Sequence, residues 1–299
     1  SRDHGFERSQ LQAWFAEVAQ RQDIIERISR PAEKVWSWAK YRDHLVDEAR
    51  IDQGVVFWSA HGATLDRARQ EYGVAPEYVV AILGIETRYG SVTGSFPVLD
   101  ALTTLGFDYP PRATFFRKEL TQFLLLAREE GKDPRTLTGS YAGAMGFGQF
   151  IPSSYRHYAV DFDADGVRDI WQNPVDAIGS VANYFARHRW RGTGPVALPA
   201  QVENDEAAAL ANRSLELRHT VGELSGLGVH LAADAQQVPA EAKAALFKLD
   251  GAAGDEYWLG LHDFHVITRY NRSHMYAMAV HQLAQAIKQR HHMGLAVRR

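Results

Sequence analysis

The hydrophobic positions of this chain recur mostly at helical spacing, which predicts a mainly α protein of the α+β class. Helical patterns cover 8–73, 76–89, 112–130 and 173–191, and a last one begins after Ser273. Ser273 is a favourable N-cap residue, because its hydroxyl can accept a hydrogen bond from the first helical turn. The fold therefore depends on helices that bury an apolar face.

The pattern changes between residues 194 and 262. Two apolar runs, 245–249 and 256–261, flank the polar stretch 250–255 and predict a strand pair. The run Phe264–Tyr270 is also strand-like. We therefore predict a small β-containing insertion in the helical chain.

The helix predicted over 76–90 carries an acidic residue among apolar ones. Glu86 shares a face with Val79 and Ile82, and the other side is also apolar, which predicts a buried helix. Desolvation and the negative end of the helix dipole both disfavour ionised Glu86. A carboxyl group that stays protonated near neutral pH can act as a general acid. The alternative is a structural ion pair with Arg88 or another cation.

The composition excludes several chemistries. The chain has 299 residues and no cysteine, so disulfides, thiolate catalysis and cysteine-based zinc sites are absent. A net charge of −3 does not indicate a basic surface for nucleic acid. No apolar run reaches membrane-spanning length. The chain begins without a charged-then-apolar leader, as a mature or trimmed form of an exported protein would.

The segment 140–155 is rich in glycine and alanine, with the sequence SYAGAMGFGQFIPSSY. Small residues leave the backbone uncovered, so a ligand can approach it closely. The segment is not a phosphate loop, because no Gly-Lys-Ser/Thr follows the glycines. A tight helix–helix crossing is the alternative interpretation.

A run of aspartates has the opening of a calcium-binding loop. The candidate ligands are Asp161, Asp163, Asp165, the backbone carbonyl of Val167, and Asp176. Gly166 occupies the sixth position, as in an EF-hand loop. Gln172 replaces the usual glutamate at the twelfth position, so we expect the last carboxylate to come from Asp176. The alternative is a polar turn in which aspartates accept backbone hydrogen bonds.

Four motifs, at 86–90, 140–155, 161–176 and 270–276, occur in an order that resembles the membrane-bound lytic transglycosylase B family (glycoside hydrolase family 103), including its soluble-type members. The resemblance runs from about Trp36 to the C-terminal helix. It implies a lysozyme-like helical core with an additional helical domain and a small β-containing insertion. The implied segments are an N-terminal helical domain (1–74), the core with its EF-hand-like loop (75–195), the insertion (196–263) and a returning C-terminal segment (264–299).

The resemblance also implies roles for single residues. Glu86 matches the family's single catalytic acid/base. The substrate-binding residues that it implies are Ser140, Gln149, Tyr184, Tyr270, Asn271 and Tyr276. The loop that begins at Asp161 matches a structural cation site for Ca²⁺ or Na⁺, while the chemistry itself needs no cofactor. Two features depart from the family: Asp176 lies one residue further from the loop start than the closing ligand, and the lipid-attachment cysteine is missing.

The implied reaction cleaves the β-1,4 bond between N-acetylmuramic acid and N-acetylglucosamine of peptidoglycan without water, and forms a 1,6-anhydro-muramoyl end. Glycosidases ordinarily use two carboxylates, and no second acid stands out in the motifs near Glu86. The implied partners are glycan strands and other cell-wall enzymes, in the periplasm of a Gram-negative bacterium. Two alternatives are a lysozyme-type hydrolase, which needs a positioned water, and a non-catalytic peptidoglycan-binding scaffold.

Overall fold

The protein is described by a computed structural model that covers residues 4–29, 36–233 and 235–297. It divides into two compact units. Unit 1 comprises Ser1–Lys34 and Glu86–Asn183, and unit 2 comprises Val35–Ile85 and Tyr184–Arg299. Each unit is therefore built from two separate stretches of the chain. Among the described residues, no helix has both the length and the hydropathy that a membrane span requires.

Helices account for most of the described structure, as the periodicity predicts. The first seven are α1 (Arg8–Phe15), α2 (Gln22–Ile28), α3 (Trp38–Leu45), α4 (Glu48–Ala60), α5 (Gly62–Tyr72), α6 (Pro76–Thr87) and α7 (Val98–Asp108). The others are α8 (Ala113–Glu129), α9 (Pro152–Tyr158), α10 (Pro174–Arg187), α11 (Asp205–Ala208), α12 (Val221–Gly226), α13 (His262–Tyr270) and α14 (His274–Val297). The predicted cap of the last helix is confirmed, because Tyr276 N donates to Ser273 Oγ at 3.2 Å.

Within the described residues, seven strands form two antiparallel sheets. They are β1 (Phe96–Pro97), β2 (Thr138–Gly139), β3 (Ala197–Val202), β4 (His219–Thr220), β5 (Val229–Leu231), β6 (Lys243–Gly251) and β7 (Gly254–Gly260). The larger sheet has the order β4-β6-β7-β3-β5, and β1 pairs with β2. The predicted strand pair is confirmed as the β6–β7 hairpin, which closes where Gly251 faces Gly254.

The prediction of a strand over Phe264–Tyr270 is wrong, because these residues belong to the helix α13. Val266, Ile267 and Thr268 are β-branched and favour strands in isolation. In the folded protein the same segment buries Phe264 and Ile267, which are three residues apart and share a helical face. Burial of that face decides the conformation against the local preference.

The helix α6 is as apolar as the sequence indicates, with the side chains from Val79 to Leu83 fully buried. Glu86, however, is half-buried rather than buried, because it lies in the last turn. Arg88, Tyr89 and Gly90 follow with positive φ values of 47°, 58° and 87°. The helix therefore ends abruptly one residue after the acid.

Candidate active site

The end of α6 is attached to the glycine-rich segment through the residue after Glu86. Thr87 is 1% exposed, and its hydroxyl donates to the backbone oxygen of Phe147 at 2.8 Å. The same oxygen atom of Thr87 accepts a hydrogen bond from Gly90 N at 3.0 Å. A side chain at Gly90 is excluded, because an added Cβ would lie 2.1 Å from the Phe147 ring. Unit 1 thus holds the Glu86 backbone against residues 140–150.

Ser140 closes a tight loop at the start of the glycine-rich segment. Its backbone N donates to Ala144 O at 2.8 Å, and its hydroxyl oxygen accepts from Ala142 N at 3.3 Å and Ala144 N at 3.1 Å. The hydroxyl hydrogen has no acceptor among the described residues. Half-buried Ser140 can therefore donate this hydrogen to a ligand.

Gln149 is held in an unusual conformation, with a φ of +50°. Its side-chain Nε2 donates to Thr93 O at 3.1 Å and to Gly146 O at 3.0 Å. These two bonds use both amide hydrogens and fix the plane of the amide. Its side-chain oxygen has no donor within the described part of the chain, so it can accept a hydrogen bond from a ligand.

Two glycines of this segment are required by contacts within the protein. An added Cβ would lie 2.6 Å from Leu102 Cδ2 at Gly143 and 2.4 Å from Ile170 O at Gly146. Both residues also have positive φ, which favours glycine. The segment 140–151 is a loop and does not form a helix–helix crossing.

In unit 2, the predicted substrate residues surround the end of α13. The Tyr184 hydroxyl donates to Arg269 O at 2.6 Å, and its ring lies 4.7 Å from the Tyr270 ring. Tyr184 and Tyr276 are 6% and 3% exposed, whereas Tyr270 and Asn271 are half-buried. Tyr184 thus stabilises the turn that presents Tyr270 and Asn271.

The acidic loop brings three of its predicted ligands together. Asp161, Asp163 and Asp176 each offer a carboxylate oxygen, and these oxygens lie within 4.8 Å of one another. The Asp165 carboxylate instead accepts a hydrogen bond from Val167 N at 2.8 Å. Carboxylate oxygens at this spacing fit a hard cation such as calcium.

Asp176 is the buried member of this cluster, with 0% exposure. Its two oxygens accept hydrogen bonds from Phe162 N and Asp169 N, both at 2.7 Å. Burial raises the pKa of the Asp176 carboxyl above its usual value. In contrast, the side-chain hydrogen bond from Asn173 lowers the pKa of exposed Asp163. Asp176 therefore organises the loop from within, and Asp163 faces solvent.

Residues 1–285 match the model of the Transglycosylase SLT domain family, and the chain belongs to this family. Its activity is that of a lytic murein transglycosylase, which cleaves the β-1,4 bond after N-acetylmuramic acid without water and leaves a 1,6-anhydro end.

Three relatives illustrate the similarity. The chain is 45% identical over 294 residues to membrane-bound lytic murein transglycosylase B of Escherichia coli (strain K12), covering 95% of this chain and 79% of that protein. It is 51% identical to soluble lytic transglycosylase SltB1 from Pseudomonas aeruginosa, with a TM-score of 0.91 and coverages of 96% and 95%. It is 43% identical to Escherichia coli Slt35 in complex with calcium, with a TM-score of 0.88 and coverages of 97% and 90%.

Thr87 and Phe147 lie within the motifs at 86–90 and 140–155, but no sequence pattern assigned a role to either residue. The hydrogen bond between Thr87 and Phe147 spans 60 residues of sequence, so spacing alone could not reveal it.

Proposed function

We propose that Glu86 performs both proton transfers of the transglycosylase reaction. The observation that carries the proposal is the attachment of the end of α6 to the glycine-rich segment through Thr87 and Phe147. Glu86 is half-buried in the last turn of α6, which reduces its hydration while part of the residue stays exposed. Both conditions suit a general acid that must also work as a base.

The carboxyl group of Glu86 alone can donate and then accept the proton that the reaction requires. Protonated Glu86 donates to the glycosidic oxygen, and the C1–O4 bond breaks. The acetamido oxygen of the same N-acetylmuramic acid stabilises the anomeric carbon. Ionised Glu86 then takes the proton of the C6 hydroxyl, and O6 bonds to C1 to close the 1,6-anhydro ring. The tethered hydroxyl has a high effective concentration, which favours it over water.

The remaining predicted residues are proposed to hold the glycan strand. Ser140 has a free hydroxyl donor and Gln149 a free carbonyl acceptor, which suit the acetamido and hydroxyl groups of a sugar. Tyr270 and Asn271 are half-buried and carry polar groups that can form hydrogen bonds with a sugar. We assign Tyr184 and Tyr276 a supporting role behind them, because both side chains are buried.

The Asp161 loop is proposed as a structural cation site for Ca²⁺ or Na⁺. Asp161, Asp163 and Asp176 would supply carboxylate oxygens, and the Asp165 carboxylate and the Val167 backbone carbonyl are the further proposed ligands. A cation would offset repulsion among the carboxylates. It takes no part in the proton transfers.

We place the reaction in the periplasm of a Gram-negative bacterium, where glycan strands and other cell-wall enzymes are the partners. The substrate supports this location, because murein is outside the cytoplasm.

The Glu86→Gln variant tests the assignment. The amide keeps the size of the side chain but cannot donate a proton to the leaving oxygen, so we expect sacculus digestion to fall by about 10²–10⁴-fold or more. Glu71→Gln, which changes an exposed glutamate, is the matched control and should retain wild-type activity. Activity of Glu86→Gln within about threefold of wild type would reject the assignment.

Mass spectrometry of the wild-type products separates the lyase from the hydrolase. Anhydro ends lack the mass of one water, whereas a lysozyme-type reaction leaves reducing ends. Intact sacculi after incubation with folded protein would instead indicate a binding scaffold.

A further inference from the structure

Unit 2 contains a cleft with a volume of about 990 Å³ that the reaction does not use. Its walls come from α5, the first turn of α6, the segment after Trp190, and α14. Glu77 lies in this wall, in the first turn of α6. The volume is that of a site for a small molecule or short peptide.

The cleft has charges of both signs. Arg69 and Asp66 line it from α5, and neither side chain makes an ion pair within the described residues. Lys288 from α14 donates to the buried Glu77 carboxylate at 2.7 Å, which leaves two of its ammonium hydrogens unused. The cleft therefore offers a free cationic group and a free anionic group to a ligand.

The cleft also offers neutral donors. Gln285 Nε2 donates to the Tyr78 hydroxyl at 3.3 Å, so that hydroxyl directs its own hydrogen to His281 Nδ1 at 2.9 Å. Burial lowers the pKa of His281 to about 4, so the ring is neutral and carries its proton on Nε2. This Nε2–H has no acceptor among the described residues.

A second unused donor is the indole of Trp190. The residue is 8% exposed, and its Nε1–H has no acceptor in the described part of the chain. Buried polar groups without partners are rare in native proteins and each demands an explanation. A ligand carbonyl or carboxylate in the cleft would supply the missing acceptor.

The aromatic rings of the cleft are occupied by protein contacts. Trp58 stacks on His291 with ring centres 4.4 Å apart, and Trp190 lies 4.9 Å from Tyr78 and 5.1 Å from Phe185. Both tryptophans are 8% exposed. The cleft thus lacks an open aromatic face on which a sugar ring could stack, and its donors and charges favour a different ligand.

We propose that this cleft binds a short peptide with a free carboxylate, through Arg69 and the unpartnered donors of Trp190 and His281. A peptide supplies backbone carbonyls for the neutral donors, a carboxylate for Arg69 and an ammonium group for Asp66. The stem peptide of murein has all three groups, a choice of ligand that rests on the proposed function.

Titration of full-length Glu86→Gln protein with the free murein stem pentapeptide tests the proposal. The readout is the ¹H–¹⁵N resonance of the Trp190 indole, assigned by comparison with Trp190→Phe. We expect a saturable shift of this resonance at millimolar peptide or below. Arg69→Met should weaken binding by at least about tenfold, because a charge-assisted hydrogen bond is lost.

Two comparisons make the result specific. Arg67→Met changes a neighbouring arginine of α5 that does not line the cleft and should bind like the parent protein. The C-terminally amidated pentapeptide should bind weakly to the parent protein and equally weakly to Arg69→Met. An unshifted Trp190 resonance, or equal binding by Arg69→Met and its parent, would overturn the site.

Product analysis and pentapeptide binding together distinguish an error in the cleft assignment from an error in the proposed function. Wild-type protein that forms anhydro ends but binds no pentapeptide would overturn the cleft alone. Pentapeptide binding without anhydro products would support the cleft and reject the reaction. A chitotetraose titration that shifts Trp190 while the pentapeptide does not would show that the cleft binds sugar instead.

Discussion

Single residues at the end of α6 determine how the carboxyl group of Glu86 is presented. The position of Glu86 depends on the next residue, Thr87, whose hydroxyl both donates to Phe147 O and accepts from Gly90 N. The helix can end at Thr87, directly after Glu86, because Gly90 adopts a positive φ. A side chain at this position would clash with the Phe147 ring. We assign Thr87 as a positioning residue.

Thr87→Val tests this role. Valine keeps the shape of the side chain but leaves the Phe147 backbone oxygen without this donor, so we expect kcat to fall by about tenfold with little change in KM. Initial rates on soluble glycan strands provide the measurement. Thr87→Ser retains the hydroxyl and should restore most of kcat. If Thr87→Val and Thr87→Ser lower the melting temperature equally and have equal rates, Thr87 has only a structural role.

Gly148→Val tests the glycine-rich segment itself. If the glycan strand approaches the backbone here, the added bulk should impair sugar binding or turnover in folded protein. Sacculus digestion measures the effect, and circular dichroism confirms the fold. An unchanged rate would argue against close approach of a ligand at this position.

At the scale of elements, the acidic loop between α9 and α10 shows how a helix can close a binding loop. Asp176 lies in the first turn of α10, where its oxygens accept two backbone hydrogens of the loop. The carboxylates of Asp161 and Asp163 then approach it within 4.8 Å. Asp176 therefore closes the loop, which the glutamate at the twelfth position does in a standard EF-hand. Gln172, the twelfth residue here, does not take this position.

Calcium should raise the melting temperature of the protein. An ion that binds only the native state adds about 2.7 kcal/mol of stability at one hundred times its Kd. Asp163→Ala should reduce this gain, and Asp108→Ala, an exposed change outside the loop, should not. Thermal unfolding with millimolar calcium or chelator measures the effect. Identical melting curves in both would favour a polar turn without a cation.

The chelator experiment also separates structure from chemistry. Because the cation takes no part in proton transfer, folded protein should keep its activity in chelator at moderate temperature. A complete and calcium-reversible loss of activity in protein that remains folded would contradict the structural role.

At the scale of the whole molecule, each unit draws on two distant stretches of sequence. The insertion predicted at 196–263 has its own apolar cluster. Its buried members are Leu198, Ala207, Leu224, Val229, Ala244, Leu246, Leu259 and Leu261. We therefore propose that this segment can fold as an independent domain. The predicted boundaries at 74/75, 195/196 and 263/264 all fall within unit 2.

A fragment spanning 196–263 tests the independent domain. We expect it to form the five-stranded sheet and to unfold cooperatively, because its cluster is made of its own residues. Circular dichroism and urea unfolding provide the measurement. Leu259→Ala should cost about 2–5 kcal/mol, because the side chain is fully buried. A fragment without strand signal would show that the sheet requires the rest of unit 2.

The stability of unit 2 should depend on pH through His281. Burial lowers its pKa from 6.5 to about 4 in the folded protein. As the pH falls below 6.5, the unfolded chain binds a proton that the folded chain does not, so stability is complete above pH 6.5 and declines toward pH 4. At pH 5 the loss from this group is about 2 kcal/mol.

Urea unfolding at pH 7 and pH 5 measures this loss. His281→Phe should make the free energy of unfolding less dependent on pH, whereas His157→Phe, which changes an exposed histidine, should not. Equal pH dependence in wild type and His281→Phe would show that other groups cause the decline.

The sequence by itself determined the local features of this protein. The 3.6-residue period predicted α6, α8, α10 and α14, and the apolar runs predicted the β6–β7 hairpin, because these patterns depend on neighbours close in the chain. The motif order also identified the family, which the match over residues 1–285 confirms. The roles of Glu86, Ser140 and Gln149 remain predictions.

Tertiary structure decided what depends on residues distant in the chain. It made 262–270 a helix, because burial of Phe264 and Ile267 on one face outweighed the strand preference of the β-branched residues Val266, Ile267 and Thr268. It left Glu86 half-buried, and it connected Thr87 to Phe147 across 60 positions. It also joined α5, α6 and α14 around one cleft. Periodicity shows which face of an element is buried, but only the folded chain shows what that face contacts.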